Sequence, residues 1–385
     1  MRASIGQPLS RPLPLRSNKV VAGSLGSGVW IIGRRYAHHA RNSGYEGFNR
    51  ILRLPTVGVP AQKRFSSSVW GWRLDRAVAS LARRPFYSAR LFLNEVAVAA
   101  HMMTRRGALY HAIYGDTDIH ILGKIASATG NKLAVTYHEP PENLEYMDVS
   151  KELVSTFSAV ILICEAQRPF FEAMMPSSRI YVVPHSIDTA FFNPSSPLTR
   201  DPVCITVGNH LRDFVMLELA MMRVWSQVPE VRLIAIGTRR TKDKANPQMS
   251  VVDPRIEYLD DIDDLALLAA YQRARLALLP LKAATANNAL LEAMACGLPG
   301  ISTNCGGILE YMSQNAGITV PPDDPDQFAS AILELIPARS PAHFMGANAR
   351  KRALRFDNAV VGHQMKLVYE KILNARQDSR VSVSN

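Results

Sequence analysis

The feature that most restricts the fold is a repeated alternation. Short apolar runs rich in β-branched residues are separated, along almost the whole chain, by longer stretches with helical spacing of apolar residues. A strand that is apolar at every position has no face to offer to water, so it must be covered on both sides, as crossover helices between parallel strands do. The runs predict strands over 29–33, 109–114, 132–137, 159–164 and 180–183. The segment from Asn193 to Pro202 then places three prolines among mostly polar residues, which continues neither a helix nor a central strand. Beyond it the alternation restarts, with strands expected over 203–207, 232–236, 256–259, 276–280 and 300–302 and helices over 264–275, 288–296 and 357–375. The expected class is α/β, with two Rossmann-like, doubly wound parallel-sheet domains. The expected divisions are a disordered leader over 1–28, a first domain over 29–194, a linker over 195–202, a second domain over 203–356, a closing helix over 357–375 and a flexible tail over 376–385.

A length of 385 residues gives each domain enough chain to bury its own core. Hydrophobic residues make up 47% and no charge-free apolar run is long enough to cross a bilayer, which argues against an integral membrane protein. Cys164, Cys204, Cys296 and Cys305 have no metal-ligand spacing and sit among apolar or small residues, so they read as reduced, packed thiols of a cytoplasmic protein with no metal site. The net charge of +11 is uneven: residues 1–137 carry 20 Lys and Arg against 5 Asp and Glu. A basic half attracts phosphate, whether in nucleic acid, an anionic bilayer or a lipid-phosphate substrate. The cations form no dense run and no recognition motif accompanies them, so a nucleic-acid partner is not expected. The glycines at 23, 26, 28 and 33 dilute the first apolar run; a targeting peptide is the alternative to a leader entering the first strand.

In doubly wound sheets ligands bind beyond the carboxyl ends of strands. The strand over 276–280 exits into Leu281-Lys282-Ala283-Ala284-Thr285-Ala286, small residues that let backbone approach a ligand, and a helix opens at Asn287 and Asn288. Its first N–H groups suit a diphosphate. Glu292 lies a turn further on, where a carboxylate can accept hydrogen bonds from a ribose diol.

The run from Leu290 to Glu310 (LLEAMACGLPGISTNCGGILE) resembles the donor-site signature of the retaining GT-B glycosyltransferases, glycosyl transferases group 1, which include sucrose-phosphate synthases. Weaker similarity extends over Val135–His138, Ala159–Arg168, Arg179–Asp188 and Val207–Gly208, in family order. The resemblance implies two domains facing across a cleft, a nucleotide diphosphate sugar as donor substrate, no cofactor and no metal. It makes Glu292 the ribose ligand. A first acid that touches the sugar is absent, because Ala284 stands in its place, and Thr285, Asn287 or Asn288 is left to serve there.

The diphosphate needs cations or N–H donors. Arg212, in Gly208-Asn209-His210-Leu211-Arg212, is the first candidate, supplemented by His210, with Lys282 in reserve. Arg212 can instead pair with Asp213 or Glu218. Gly306 and Gly307 read as a close-approach loop or a tight turn, and Gly44, in Ser43-Gly44-Tyr45-Glu46-Gly47, as a phosphate loop or a plain turn. His138 ends a first-domain strand at the cleft edge, and the resemblance implies contact with the donor sugar or reacting centre; a capping histidine is the alternative. The stretch from Trp70 to Arg90 mixes aromatic residues with arginine, the composition either of a helix seated in lipid headgroups or of one packed on the first sheet.

Together these readings predict transfer of a sugar, with retention, from a nucleotide sugar to a lipid-linked or saccharide acceptor, by a cytoplasmic protein peripheral to an anionic membrane. His138 and Arg212 carry the catalytic roles. A catalytically inactive membrane scaffold is the rival reading.

Overall fold

The computed structural model describes residues 28–33, 42–44, 46–58, 69–84, 86–195, 201–239, 248–337 and 341–375. The expected leader up to residue 27, residues 196–200 of the expected linker and the expected tail lie outside these.

The first sheet is built from β1 (Val29–Ile32), β2 (Thr56–Val57), β3 (Leu109–Ala112), β4 (Lys132–Tyr137), β5 (Ala159–Leu162) and β6 (Ile180–Val182). Between them run α1 (Gly47–Leu52), α2 (Val69–Ala82), α3 (Ala89–Met103), α4 (Gly115–Asp118), α5 (Leu122–Ala128), α6 (Pro141–Tyr146), α7 (Lys151–Val154) and α8 (Arg168–Glu172). All strands pair in parallel in the order β2-β1-β3-β4-β5-β6. Every residue of β3 and β5 is buried, as strands covered by helices on both faces must be, with His111 of β3 the one polar side chain among them.

The second sheet contains β7 (Val203–Val207), β8 (Arg232–Ile236), β9 (Ile256–Leu259), β10 (Leu276–Leu279), β11 (Gly300–Thr303) and β12 (Gly317–Val320), again parallel, in the order β12-β11-β10-β7-β8-β9. Its helices are α9 (Phe214–Gln227), α10 (Asp264–Arg273), α11 (Asn288–Ala295), α12 (Ile308–Tyr311), α13 (Pro325–Leu335) and α14 (Ala342–Ala353). Asp213, Asp263, Asn287 and Asp324 cap four of these, each side chain accepting an N–H of the first turn. Helix α10 stops before the expected end because Arg275 N already donates to Val203 O, 2.7 Å away, as the chain enters the sheet.

The last helix, α15 (Asn358–Asn374), returns to the first domain. Val361, Met365, Val368, Tyr369 and Ile372 pack with Val29, Ile31, Phe48 and Leu109. His111 holds the Tyr369 hydroxyl at 2.7 Å through Nδ1 and the Thr136 hydroxyl at 2.7 Å through Nε2. Burial drops the His111 pKa to about 3, so the ring is neutral and shares one donor and one acceptor nitrogen between these hydroxyls. Lys132 Nζ donates to the carbonyls of Ile372 and Ala375 at 2.7 and 2.6 Å, a cation where the helix dipole is negative. The two crossings between domains run side by side: Ile187 N donates to Phe356 O and Asn358 N to Ile187 O, at 2.9 and 3.0 Å.

Candidate active site

The strand order of the second sheet reverses between β7 and β10, and this switch point opens a crevice at the strands' carboxyl ends. The loops leaving the two strands are tied together there: Lys282 N donates to Leu211 O at 2.9 Å and Asp213 N to Pro280 O at 2.8 Å. Between those ties the side chain of Arg212 is buried, next to Gly208. One terminal nitrogen donates to Val207 O at 2.6 Å, while Nε and Nη1 have no acceptor among the described residues. Burial lowers its pKa to about 10, opposed by Tyr271, Cys305 and Glu292, so the guanidinium stays charged at neutral pH. A desolvated cation with unmatched donors is costly by itself and is matched by an anion with free oxygens. The alternative surface pairing does not occur: Asp213 caps α9 by accepting from Met216 N at 3.0 Å, and Glu218 accepts from Ser250 N at 2.7 Å. Lys282 is exposed, and His210 turns away from Arg212 to face Glu139 Oε1 at 3.2 Å across the domain boundary.

Helix α11 starts beside this crevice. Asn287 Oδ1 accepts from Leu290 N at 3.1 Å, so Asn287 serves as the helix cap. Glu292 is buried in the second turn, accepting from Tyr271 OH at 2.8 Å and from the hydroxyl of Ser43, which the first domain contributes. Burial raises its pKa to about 7, even though both hydroxyls favour the charged form. Two hydroxyl donors on one carboxylate are what a ribose diol would also present.

The first domain supplies the facing wall. Asp116, after β3, accepts the backbone N–H groups of His138 and Glu139, both at 2.9 Å, fixing the chain where it leaves β4. Burial raises the Asp116 pKa to about 7. His138 Nε2 lies 2.6 Å from Ile113 O and must carry the hydrogen, leaving Nδ1 to accept from His185 Nε2 at 3.0 Å. His185, lowered to about 4 by burial, is neutral and has given its one N–H to His138, so the Asn288 side chain 3.2 Å from its Nδ1 must turn its amide N–H toward the ring. Both nitrogens of the His138 ring are thus taken by protein groups, one from its own domain's Ile113 and one from His185.

The sequence-predicted residues converge unevenly. Gly44 lies against Asn288, since a Cβ built on Gly44 would sit 3.2 Å from the Asn288 side-chain amide. Thr285 gives its hydroxyl to His138 O and so ties the second domain to the first. Gly306 and Gly307 pack on backbone: a Cβ on either would collide with Ala284 O or Thr285 O, respectively. Ser43, Asp116, His185 and Tyr271 also meet at the site, although no sequence pattern points to any of them individually. Of these, only His185 lies in a segment, Arg179–Asp188, that the resemblance marks. Among the described residues no group of His, Cys, Asp and Glu is arranged to hold a metal ion, and no helix is long and apolar enough to cross a membrane.

Two parallel six-stranded sheets with helices on both faces are the GT-B class of fold, and at one switch point a buried cation stands beside a buried carboxylate. Residues 201–337, the greater part of the second domain, match the family described as glycosyl transferases group 1. A phosphatidyl-myo-inositol mannosyltransferase of Mycolicibacterium smegmatis is 24% identical over 209 residues, 52% of this chain and 54% of that protein. A phosphatidylinositol N-acetylglucosaminyltransferase component of Arabidopsis thaliana is 24% identical over 212 residues, 52% of this chain and 46% of that protein. The chain thus spans about half the length of the curated relatives it matches. Among solved structures, the sucrose-phosphate synthase of Thermosynechococcus elongatus superimposes with a TM-score of 0.62 at 18% identity, covering 83% of this chain and 84% of that one. Anabaena HepE in complex with UDP-glucose superimposes at 0.61 and 14% identity, covering 89% and 99%.

Proposed function

We propose that the chain transfers a sugar from a nucleotide diphosphate sugar to a lipid-linked or polysaccharide-type acceptor at the cytoplasmic face of a membrane, with retention of configuration. The observation that carries this is Arg212: a buried guanidinium with two unmatched N–H groups at the switch point of the family-matched domain, beside the α11 N-terminus and Glu292. In this reading Arg212 and the loop amides take the diphosphate, and Glu292 exchanges its Ser43 and Tyr271 partners for the ribose hydroxyls. As the glycosidic C–O bond breaks, negative charge grows on the leaving phosphate, where a desolvated cation is most effective. The acceptor hydroxyl attacks the anomeric carbon and its proton passes to the leaving phosphate oxygen, so no protein base is required. Asp116 and the His138–His185 pair hold the first-domain wall in register.

The relatives' names support a glycosyl acceptor of lipid type, and the structures with UDP-sugars support a nucleotide sugar donor. The test is a titration of the purified chain with uridine and guanosine diphosphates, followed by a nucleotide-release assay over a donor panel. Binding lost in Glu292→Ala and Arg212→Ala supports the reading. No binding of either nucleotide at millimolar concentration overturns it. Binding without turnover on any donor or acceptor favours the inactive scaffold, a reading motivated by Ala284 and by the engaged Glu292 carboxylate.

A further inference from the structure

Helices α2 and α3 form a hairpin whose two sides differ. The inner side of α3 buries Leu91, Val98 and Met102. Its outer side exposes Leu93, Val96, Ala100 and Met103, a helical line without a charge, because Glu95 turns inward and accepts the N–H groups of His120, Ile121 and Leu122. At the hairpin tip Leu81 is 90% exposed, and exposed Phe86 lies against Tyr146, itself 73% exposed, with ring centroids 5.9 Å apart and the rings tilted. The hairpin's exposed cations are Arg73, Arg76, Arg83, Arg105 and Arg106, while Tyr146, outside the hairpin, is flanked by the exposed Glu145 and Asp148. The acidic residues of the hairpin are Asp75, which accepts from Ala89 N at 2.9 Å, and the buried Glu95. A hairpin with exposed apolar side chains and cations, and with its own carboxylates engaged, matches the charge and the layering of an anionic bilayer surface: aliphatic groups reach the acyl boundary while guanidinium groups meet phosphates. A protein partner of ordinary composition offers no such uniform negative rim.

The same hairpin is tied to the candidate active site. Arg84, buried at its tip, donates to Asp116 O at 2.7 Å and to Ile119 O, and the Asp116 carboxylate holds the His138 and Glu139 amides. Tyr146 ends α6, the helix that begins directly after Glu139-Pro140. The apolar tip and the first-domain wall of the crevice are thus one connected piece. From this we infer that the α2–α3 hairpin, with Tyr146, is a docking surface for an anionic lipid bilayer that sets the crevice mouth against the membrane. The docking stands on its own. Its consequence, that the acceptor is drawn from the bilayer and not from solution, rests on the transferase reading.

The test is flotation of the full chain with vesicles of phosphatidylcholine alone and of phosphatidylcholine mixed with phosphatidylglycerol, at low and high salt, with nucleotide titration of the same samples. The wild-type chain should float with the mixed vesicles, less so at high salt. L81D and L93D should each weaken that binding by more than about tenfold, as expected for withdrawing one buried Leu, with nucleotide affinity unchanged. The control pair V215D and L219D, at exposed apolar positions on α9 of the other domain, should float like wild type. Absence of vesicle binding by the wild-type chain overturns the inference, as does binding that L81D and L93D leave intact or that the α9 pair abolishes. Dimerisation lost in L93D without vesicle binding also overturns it, by showing a contact between copies. Vesicle binding with no nucleotide affinity leaves the docking supported while removing the transferase reading, so the two failures are distinguishable.

Discussion

The two walls of the crevice are built on different plans. The second-domain wall comes from two consecutive stretches, 207–213 and 281–292, and its groups are placed by a strand end and a capped helix. The first-domain wall is collected from Ser43, Ile113, Asp116, His138 and His185, which follow four strands (β1, β3, β4 and β6), and it is held by hydrogen bonds among buried polar groups. The first plan gives a wall aimed at a ligand; the second gives one whose polar groups satisfy one another. The donor wall keeps unmatched capacity at Arg212, whereas the facing wall positions.

Removing that capacity should have the largest effect. Arg212→Ala is expected to lower kcat by about 10²–10³-fold, the loss typical of one preorganised charge-stabilising donor; single-turnover release of nucleotide measures it. An effect no larger than that of His185→Ala would erase the distinction between the walls. Next comes Glu292→Ala, expected to weaken nucleotide affinity by roughly 10–100-fold, since hydrogen bonds to a charged group contribute about 1.5–3 kcal/mol; calorimetric titration reads it.

The difference between the walls also decides what is legible in the sequence. Glu292 and the α11 cap are visible because they sit together in one run beside small residues. Arg212 is visible as a cation but not as a buried one, because an Arg beside Asp213 looks like half of a surface pair until Asp213 is seen to cap α9. Ser43 and Tyr271 meet Glu292 from 249 and 21 residues away, and no local pattern encodes such meetings. Among the strands, the apolar runs show themselves. The edge strands β2, two residues long, and β12, which opens on Gly317 and is half-buried at its middle positions, carry too few apolar residues to show a period.

The first-domain wall rests on α15, and Tyr369→Phe, which leaves a His111 nitrogen unmatched, should cost about 1–3 kcal/mol in a thermal or urea melt. Nucleotide affinity should barely change if the walls are separable.

A pH test joins the two walls. Glu292 and Asp116 both have pKa values raised to about 7, so the folded state holds their protons where the unfolded chain has released them. The stability they contribute is fully present below the ordinary carboxylate range near pH 4 and is lost as pH rises through about 7. Melting temperatures should accordingly decline over that window, and the decline should flatten in a Glu292→Gln, Asp116→Asn double variant. An unchanged slope would show that these carboxylates titrate in the fold as they do in the unfolded chain. The smallest effect is expected for Ser43→Ala, which frees one oxygen of Glu292: nucleotide affinity should rise by at most about fivefold, the worth of a neutral hydrogen bond near 1 kcal/mol.

Because the chain crosses between domains twice, and Ile187 joins the crossings through Phe356 and Asn358, the first domain is not a continuous piece of polypeptide. A chain cut after residue 356 would keep every strand of the second sheet yet strip the first of Val361, Met365 and Tyr369, so a C-terminal truncation should be felt first at the N-terminal domain. The paired crossings form a two-ply strap at the domain boundary, so neither crossing can be displaced without breaking its hydrogen bonds to the other.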